Sequence, residues 1–154
     1  LYATVGEATG PAERLLDLYC GAGTIGQTLK ARFARILGIE ENPEAVEEAR
    51  RNAERNQVSA EYHAGRVEAL LDRVGCGPGD VIVVDPPRAG LHPKVAAFLA
   101  VAQASVLVYV ACNPGALRTD GPVLASGGWR CTDAWTVDLF PQTGHVELVA
   151  RFVR

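Results

Sequence analysis

Cys112 closes an apolar run, Val106-Leu107-Val108-Tyr109-Val110-Ala111, and is followed at once by Asn113-Pro114. Free cysteine is among the most buried residue types, so its default role is inert core. Cys112 departs from that default because it stands at the carboxyl end of its run beside a turn. Arg88, in Asp85-Pro86-Pro87-Arg88, is a neighbour that would favour the thiolate. Asp85 ends a second apolar run, Val81-Ile82-Val83-Val84, and the two prolines after it make a stiff backbone with few N–H groups. A third constellation, Gly21-Ala22-Gly23-Thr24-Ile25-Gly26, matches G-x-G-x-x-G, with Glu40 at the end of the next run. Glycines let a backbone approach a ligand closely, and an acid accepts hydrogen bonds from ribose hydroxyls. These residues suit a nucleoside-bearing cofactor, and the turn alone fits a dinucleotide as well as S-adenosylmethionine.

Such residues act together only if the fold brings them to one edge. Short aliphatic runs at 15–19, 36–40, 61–64, 81–85 and 106–111 alternate with stretches of helical spacing at 25–33, 43–56, 68–74, 93–102 and from 114 to about 125. This alternation predicts a parallel sheet covered by helices. The run at 81–85 is apolar up to its final acid, as expected of a central strand buried on both faces. Asn42 is placed to cap the second helix with Pro43 in its first turn, and Val46, Ala49 and Ala53 share one face. Two strand-like runs, 135–139 and 146–153, close the chain around Phe140-Pro141-Gln142-Thr143-Gly144-His145. Ligands of open α/β sheets bind outside the carboxyl ends of the strands, where strand order reverses. The glycine turn, Glu40, Asp85 and Cys112 all fall at such ends.

The chain has 154 residues, near the size of one domain, and carries no repeat or linker, so residues 1–154 read as a single unit. Its 48% hydrophobic and 21% charged content can support a packed core and excludes a disordered tail. The apolar runs are too short to span a bilayer and no basic leader opens the sequence, so a cytoplasmic enzyme is expected. Cys20, Cys76, Cys112 and Cys131 are widely spaced, with no C-x-x-C pair and no histidine at zinc-ligand spacing; neither a metal site nor a disulfide framework is expected. Cys20 is expected to pack under the cofactor, while Cys76 and Cys131 carry no signal. A net charge of −3 gives no basic footprint for a phosphate backbone, so a nucleic-acid substrate would need a grip from elsewhere. The chain starts at Leu1 and contains no methionine, which fits a piece of a longer protein.

Four ordered segments run through nearly the whole chain: Leu16-Asp17-Leu18-Tyr19-Cys20-Gly21-Ala22-Gly23-Thr24, Asp85-Pro86-Pro87-Arg88-Ala89-Gly90-Leu91, Tyr109-Val110-Ala111-Cys112-Asn113-Pro114 and Phe140-Pro141-Gln142-Thr143-Gly144-His145-Val146-Glu147. Together they resemble the RNA 5-methyluridine methyltransferases, which modify uridines in ribosomal and transfer RNA. The resemblance implies a Rossmann-like, seven-stranded α/β methyltransferase sheet, mostly parallel with an antiparallel last strand. It implies S-adenosylmethionine as cofactor, held by Tyr19, Gly21, Gly23, Thr24, Glu40 and Asp85. It makes Cys112 the nucleophile and Glu147 the base, with Arg88, Asn113 and Gln142 as candidate substrate contacts, RNA as partner and no metal in the chemistry. Without the resemblance Glu147 reads as an exposed strand carboxylate, and His145 reads as structural.

The chemistry explains the residue types. Carbon 5 of uracil is a weak nucleophile, and thiolate addition at carbon 6 activates it; a base must afterwards remove the carbon 5 proton. A base within folded RNA must also be exposed or flipped to reach a pocket. The chain departs from the family at Ala111, where serine is common, and at Gly65-Arg66, where Gly-Asp is frequent and adenine would be contacted. The family's glutamine motif and RNA-binding module precede the residue matching Leu1, and none of the four cysteines fits the iron-sulfur ligands of some members. Competing readings are methylation of an exocyclic amine, which needs no cysteine, an NAD-dependent dehydrogenase, which leaves three segments unexplained, and a non-catalytic RNA-binding piece, which the charge disfavours.

Overall fold

Branched side chains stack well on a pleated surface, and Val81-Ile82-Val83-Val84 accordingly lies in a strand whose every residue is buried, β4 (Asp80–Val84). The other strands are β1 (Ala12–Leu18), β2 (Phe33–Glu40), β3 (Ala60–Ala64), β5 (Val106–Ala111), β6 (Arg130–Val137) and β7 (Glu147–Val153). The structure, a computed structural model, describes residues 1–139 and 141–154. The strands form one seven-stranded sheet in the order β3-β2-β1-β4-β5-β7-β6. The first five run parallel, and β7 pairs antiparallel with both β5 and β6. This is the α/β methyltransferase fold, with the antiparallel last strand the resemblance implied.

Helices α1 (Tyr2–Thr9), α2 (Thr24–Thr28), α3 (Pro43–Arg55), α4 (Val67–Leu70), α5 (Pro93–Val101) and α6 (Leu117–Ser126) cover the sheet. Alternation along the central strands divides the core. Leu16, Leu18, Ile82, Val84, Leu107 and Tyr109 pack with Leu99, Leu124 and Trp129. Leu15, Val81, Val83, Val108 and Val110 pack with Val5, Ile25 and Leu29 on the other side. Each fully buried aliphatic side chain contributes on the order of 1.5–3 kcal/mol. Asn42 caps α3 as expected, its side chain accepting from Glu44 N–H at 2.9 Å with Pro43 in the first turn. Among the described residues no helix is long and apolar enough to cross a membrane.

The largest differences from the sequence expectation lie in three elements, while β1 and β2 start three residues early and the helix expected over 68–74 ends at Leu70, with a 3-10 turn over Leu71–Arg73. The helix expected over 25–33 stops at Thr28; Leu29 N–H bonds back to Ile25 O and Gly26 O, a 3-10 turn covers Lys30–Arg32, and Phe33 pairs with Ala12 in the ladder. Strand pairing and burial of the Phe33 ring override helical propensity there. β6 begins at Arg130 and ends at Val137, not 135–139; most of its residues are exposed, so it shows no apolar alternation to read. α1 had no counterpart in the sequence reading. It packs on β5 and β7, and Arg151 Nε from β7 donates to Ala8 O at 3.0 Å.

Candidate active site

Tyr19 follows β1, Glu40 ends β2 and Asp85 follows β4, so all three meet at the carboxyl edge. β1 and β4 are neighbours although β2, β3 and their helices lie between them in sequence, and the crevice at such a reversal is where α/β sheets hold ligands. A cavity of about 530 Å³ opens there, lined by Tyr19, Glu40, Glu41, Arg66, Glu68 and Asp85 together with the segment after Asp85. Tyr19 takes φ 65, turning the chain sharply into the glycine turn. Gly21 N–H donates to Glu40 Oε2 at 3.0 Å, and Asn42 N–H donates to Glu40 Oε1 at 2.8 Å. A carboxylate has about four lone-pair sites, so Glu40 keeps acceptor capacity while being held in place.

Gly23 has φ 73, and a Cβ there would lie 2.5 Å from Tyr62 Oη, so no other residue fits without displacement. Below it Gln27 Nε2 donates to Tyr62 Oη at 3.2 Å and to Ala49 O at 3.1 Å. Thr24 stands elsewhere: it is exposed and lines a separate polar groove with Ala22, Gln27, Lys30 and Asn56. The Arg66 expected at the adenine end lines the cavity and pairs with Glu41 at 3.7 Å.

Carboxyl groups concentrate around this crevice. Asp17 is fully buried on β1; its Oδ2 accepts from Gly26 N–H at 3.3 Å and its Oδ1 has no hydrogen-bond partner among the described residues. Burial pushes its carboxyl up to about 7, with repulsion from Asp85 and Glu40 adding to the shift. Burial likewise raises Asp85 to about 6, helped by the nearby Glu147. Burial pushes Tyr19 up to about 12 and raises the Cys20 thiol strongly, which makes Cys20 a packing residue. The sequence reading quoted Asp17 without assigning it a role; an acid inside the apolar run Leu15-Leu16-Asp17-Leu18 was the available signal.

The second part of the edge owes its geometry to the antiparallel strand. Ala111 pairs with Leu148, so Cys112 and Glu147 fall opposite one another one step further along the ladder. A parallel neighbour would have presented its carboxyl end there and sent its first residue to the far side of the sheet. Cys112, Glu147, Arg88 and His145 line one cavity of about 200 Å³. Cys112 and Glu147 are half-buried, while Arg88 and His145 are exposed. His145, read as structural from sequence, thus lines the same cavity as Cys112. Asn113 is committed within the chain: its Oδ1 accepts from Gly115 N–H at 3.2 Å and its Nδ2 donates to Arg88 O at 3.0 Å. Gln142 sits in an exposed turn with φ 70, and Phe140 of the same segment lies outside the described residues.

The model of the Methyltransferase small domain family matches residues 3–121, most of the chain. The chain belongs to that family. Among other family proteins, a Clostridium tetani protein described as an uncharacterized RNA methyltransferase is 40% identical over 152 residues, covering 97% of this chain and 33% of the relative. The tRNA (uracil(54)-C(5))-methyltransferase of Pyrococcus abyssi is 42% identical over 142 residues, covering 92% of this chain and 33% of that protein. The crystal structure of the Pyrococcus abyssi tRNA (uracil-54, C5)-methyltransferase in complex with S-adenosyl-L-homocysteine superimposes with TM-score 0.86 at 39% identity, covering 99% of this chain and 37% of the other. Precorrin-6y C5,15-methyltransferase from Geobacter metallireducens, at TM-score 0.79 and 13% identity, shares the fold alone. This chain spans about a third of the length of the curated relatives it matches.

Proposed function

We propose that this chain is the catalytic part of an S-adenosylmethionine-dependent enzyme that methylates carbon 5 of a uridine in ribosomal or transfer RNA. The observation that carries the reading is the facing pair Cys112 and Glu147, sharing a cavity with Arg88 at the edge that also holds the larger, acid-lined cavity. The likeness to the Pyrococcus abyssi uracil-54 enzyme supports the choice of carbon 5 over an exocyclic nitrogen.

The larger cavity fits the cofactor. S-adenosylmethionine carries a sulfonium and an ammonium, and Glu40, Glu41, Glu68 and Asp85 place carboxyl groups along the cavity wall, with Asp17 buried behind it bonded to Gly26 N–H. Gly23, where a Cβ would strike Tyr62 Oη at 2.5 Å, lets the turn close down on Tyr62 beside the cavity. Tyr19, Gly21, Gly23, Glu40 and Asp85 would hold the group, which would supply an electrophilic methyl; Thr24, on its separate groove, is not assigned a contact. Cys112 Sγ, as thiolate, bonds to carbon 6 and leaves carbon 5 electron-rich enough to accept the methyl group. Glu147 then takes the carbon 5 proton, the ring double bond re-forms, and the carbon–sulfur bond breaks with its electron pair returning to Cys112. Arg88 and Gln142 contact the substrate, and Asn113 acts by holding the Arg88 backbone. With a net charge of −3, this chain leaves most of the phosphate grip to an RNA-binding module upstream in the whole protein.

RNA carrying 5-fluorouridine at the target tests the reading, because fluorine cannot leave as a proton. The full protein should form a complex that survives denaturation, with peptide mapping placing the link on Cys112. Methylation with no such complex, or a link on Cys20, overturns the assignment in favour of direct transfer to a nitrogen or a different nucleophile.

A further inference from the structure

Residues 85–91 form a partition between the two cavities. Pro86, Pro87, Ala89, Gly90 and Leu91 line the larger one, and Arg88 lines the smaller one beside Cys112. Groups on either side can meet at bonding distance only if this wall stays where it is. Its own backbone does little to hold it: Asp85 N–H reaches Leu18 O at 3.3 Å, Gly90 N–H closes a turn on Pro87 O at 2.8 Å, and the prolines have no N–H.

Two side chains from beyond the partition hold it. Asn113 Nδ2 donates to Arg88 O at 3.0 Å, and Asp120 Oδ2, on α6, accepts from Leu91 N–H at 2.9 Å. The same Asp120 oxygen accepts from Tyr109 Oη–H at 2.6 Å. Asp120 and Tyr109 are both buried, and Asp120 lines neither cavity. A buried carboxyl is costly unless it is bonded, so its place here is explained by what it grips. Gly90 permits the approach: its φ is +90, and a Cβ there would lie 2.7 Å from Asp120 Oδ2. Tyr109 sits on β5 just ahead of Cys112, so a single oxygen ties the partition to the strand that carries the nucleophile.

We propose that Asp120, clamped by Tyr109, is a positioning residue that holds the partition in register with Cys112 and so sets the gap between methyl donor and target base. The inference rests on the function proposed above. A displacement of about 1 Å can cost roughly 10²-fold in rate. The test measures single-turnover methyl transfer to RNA and S-adenosylhomocysteine affinity in the full protein, well below the melting temperature. Asp120→Ala should slow transfer at least about 10-fold while affinity stays within about 3-fold. Asp120→Asn, which keeps an acceptor for Leu91 N–H, should fall between it and wild type. Should Asp120→Ala fail to fold, Tyr109→Phe removes one hydroxyl from the same clamp and should slow transfer in the same selective way.

Wild-type transfer rates in folded Asp120→Ala, or in Tyr109→Phe, overturn the inference. So does a loss of rate matched by an equal loss of cofactor affinity, which is what simple loosening of the fold would give. Failure of the parent reading looks different: there the wild-type protein itself methylates RNA without a Cys112 adduct.

Discussion

On the β1, β2 and β4 side of the carboxyl edge the chain holds its own groups in place: both oxygens of Glu40 accept backbone N–H groups, and Gly23 is seated on Tyr62. On the β5 and β7 side, Cys112 and Glu147 are half-buried, Arg88 and His145 are exposed, and the turn holding Gln142 lies at the surface. The first cavity is preorganised by contacts internal to the domain, while the second is walled by half-buried and exposed side chains at the surface. Small-molecule sites are usually largely pre-formed, whereas a flipped base arrives with a large ligand that can complete the enclosure itself. The two halves should therefore respond to substitution separately.

The largest expected effect is that of Cys112→Ala, which should lower methylation at least ~10³-fold, about 4 kcal/mol of barrier. Affinity for S-adenosylhomocysteine, read by titration calorimetry, should change less than about 2-fold; a large loss would merge the halves. Glu147→Gln should slow turnover about 10²-fold and let a covalent protein–RNA species accumulate on denaturing gels. Rapid, complete turnover would place the base elsewhere. Glu147 is also one electrostatic link between the halves, since it helps raise Asp85.

The next effect is on stability and belongs to the cofactor half alone. Asp17 titrates near 4 when unfolded and at about 7 when folded, so between those values the folded state holds a proton that the unfolded state has released. Its contribution is complete below about pH 4 and is lost as pH rises through 7, on the order of 4 kcal/mol over the whole span. Denaturant unfolding of the cofactor-free chain at pH 5 and pH 8 should show this loss in wild type and less of it in Asp17→Asn. Equal losses in both would assign the slope to other groups. The smallest effect on methyl transfer is that of Gly23→Ala: the left-handed backbone costs about 1–2 kcal/mol of stability and the contact of its Cβ with Tyr62 adds about 1–3 kcal/mol, with about 10-fold weaker S-adenosylhomocysteine binding and little change in a Cys112 adduct.

The cofactor half was the more legible in sequence, because glycines, prolines and acids at the ends of apolar runs report strand-end position directly. The facing of Cys112 and Glu147 was not derivable from spacing: it depends on the register Ala111↔Leu148, which no local pattern encodes. The resemblance alone supplied the Glu147 role. Asp17 and Asp120 escaped notice because each is a lone acid whose value comes from distant partners, Gly26 for one and Leu91 and Tyr109 for the other. Thr24 belongs to the motif by sequence, yet it lines a separate groove. β6 was hard to bound because an edge strand with exposed faces carries no period-two signal.

The bond from Arg151 to Ala8 spans 143 residues of sequence and has a consequence for how the molecule assembles. α1 precedes every strand of this sequence, but the surface it packs on is made by β5 and by β7, the last strand. A helix of eight residues is marginal alone in water, so this one has no reason to persist before its dock exists. Closing so long a loop also carries the largest entropic cost in the ladder of contacts. Of this chain's helices, the first in sequence is thus among the last to become structured, because its dock exists only once β7 has paired with β5.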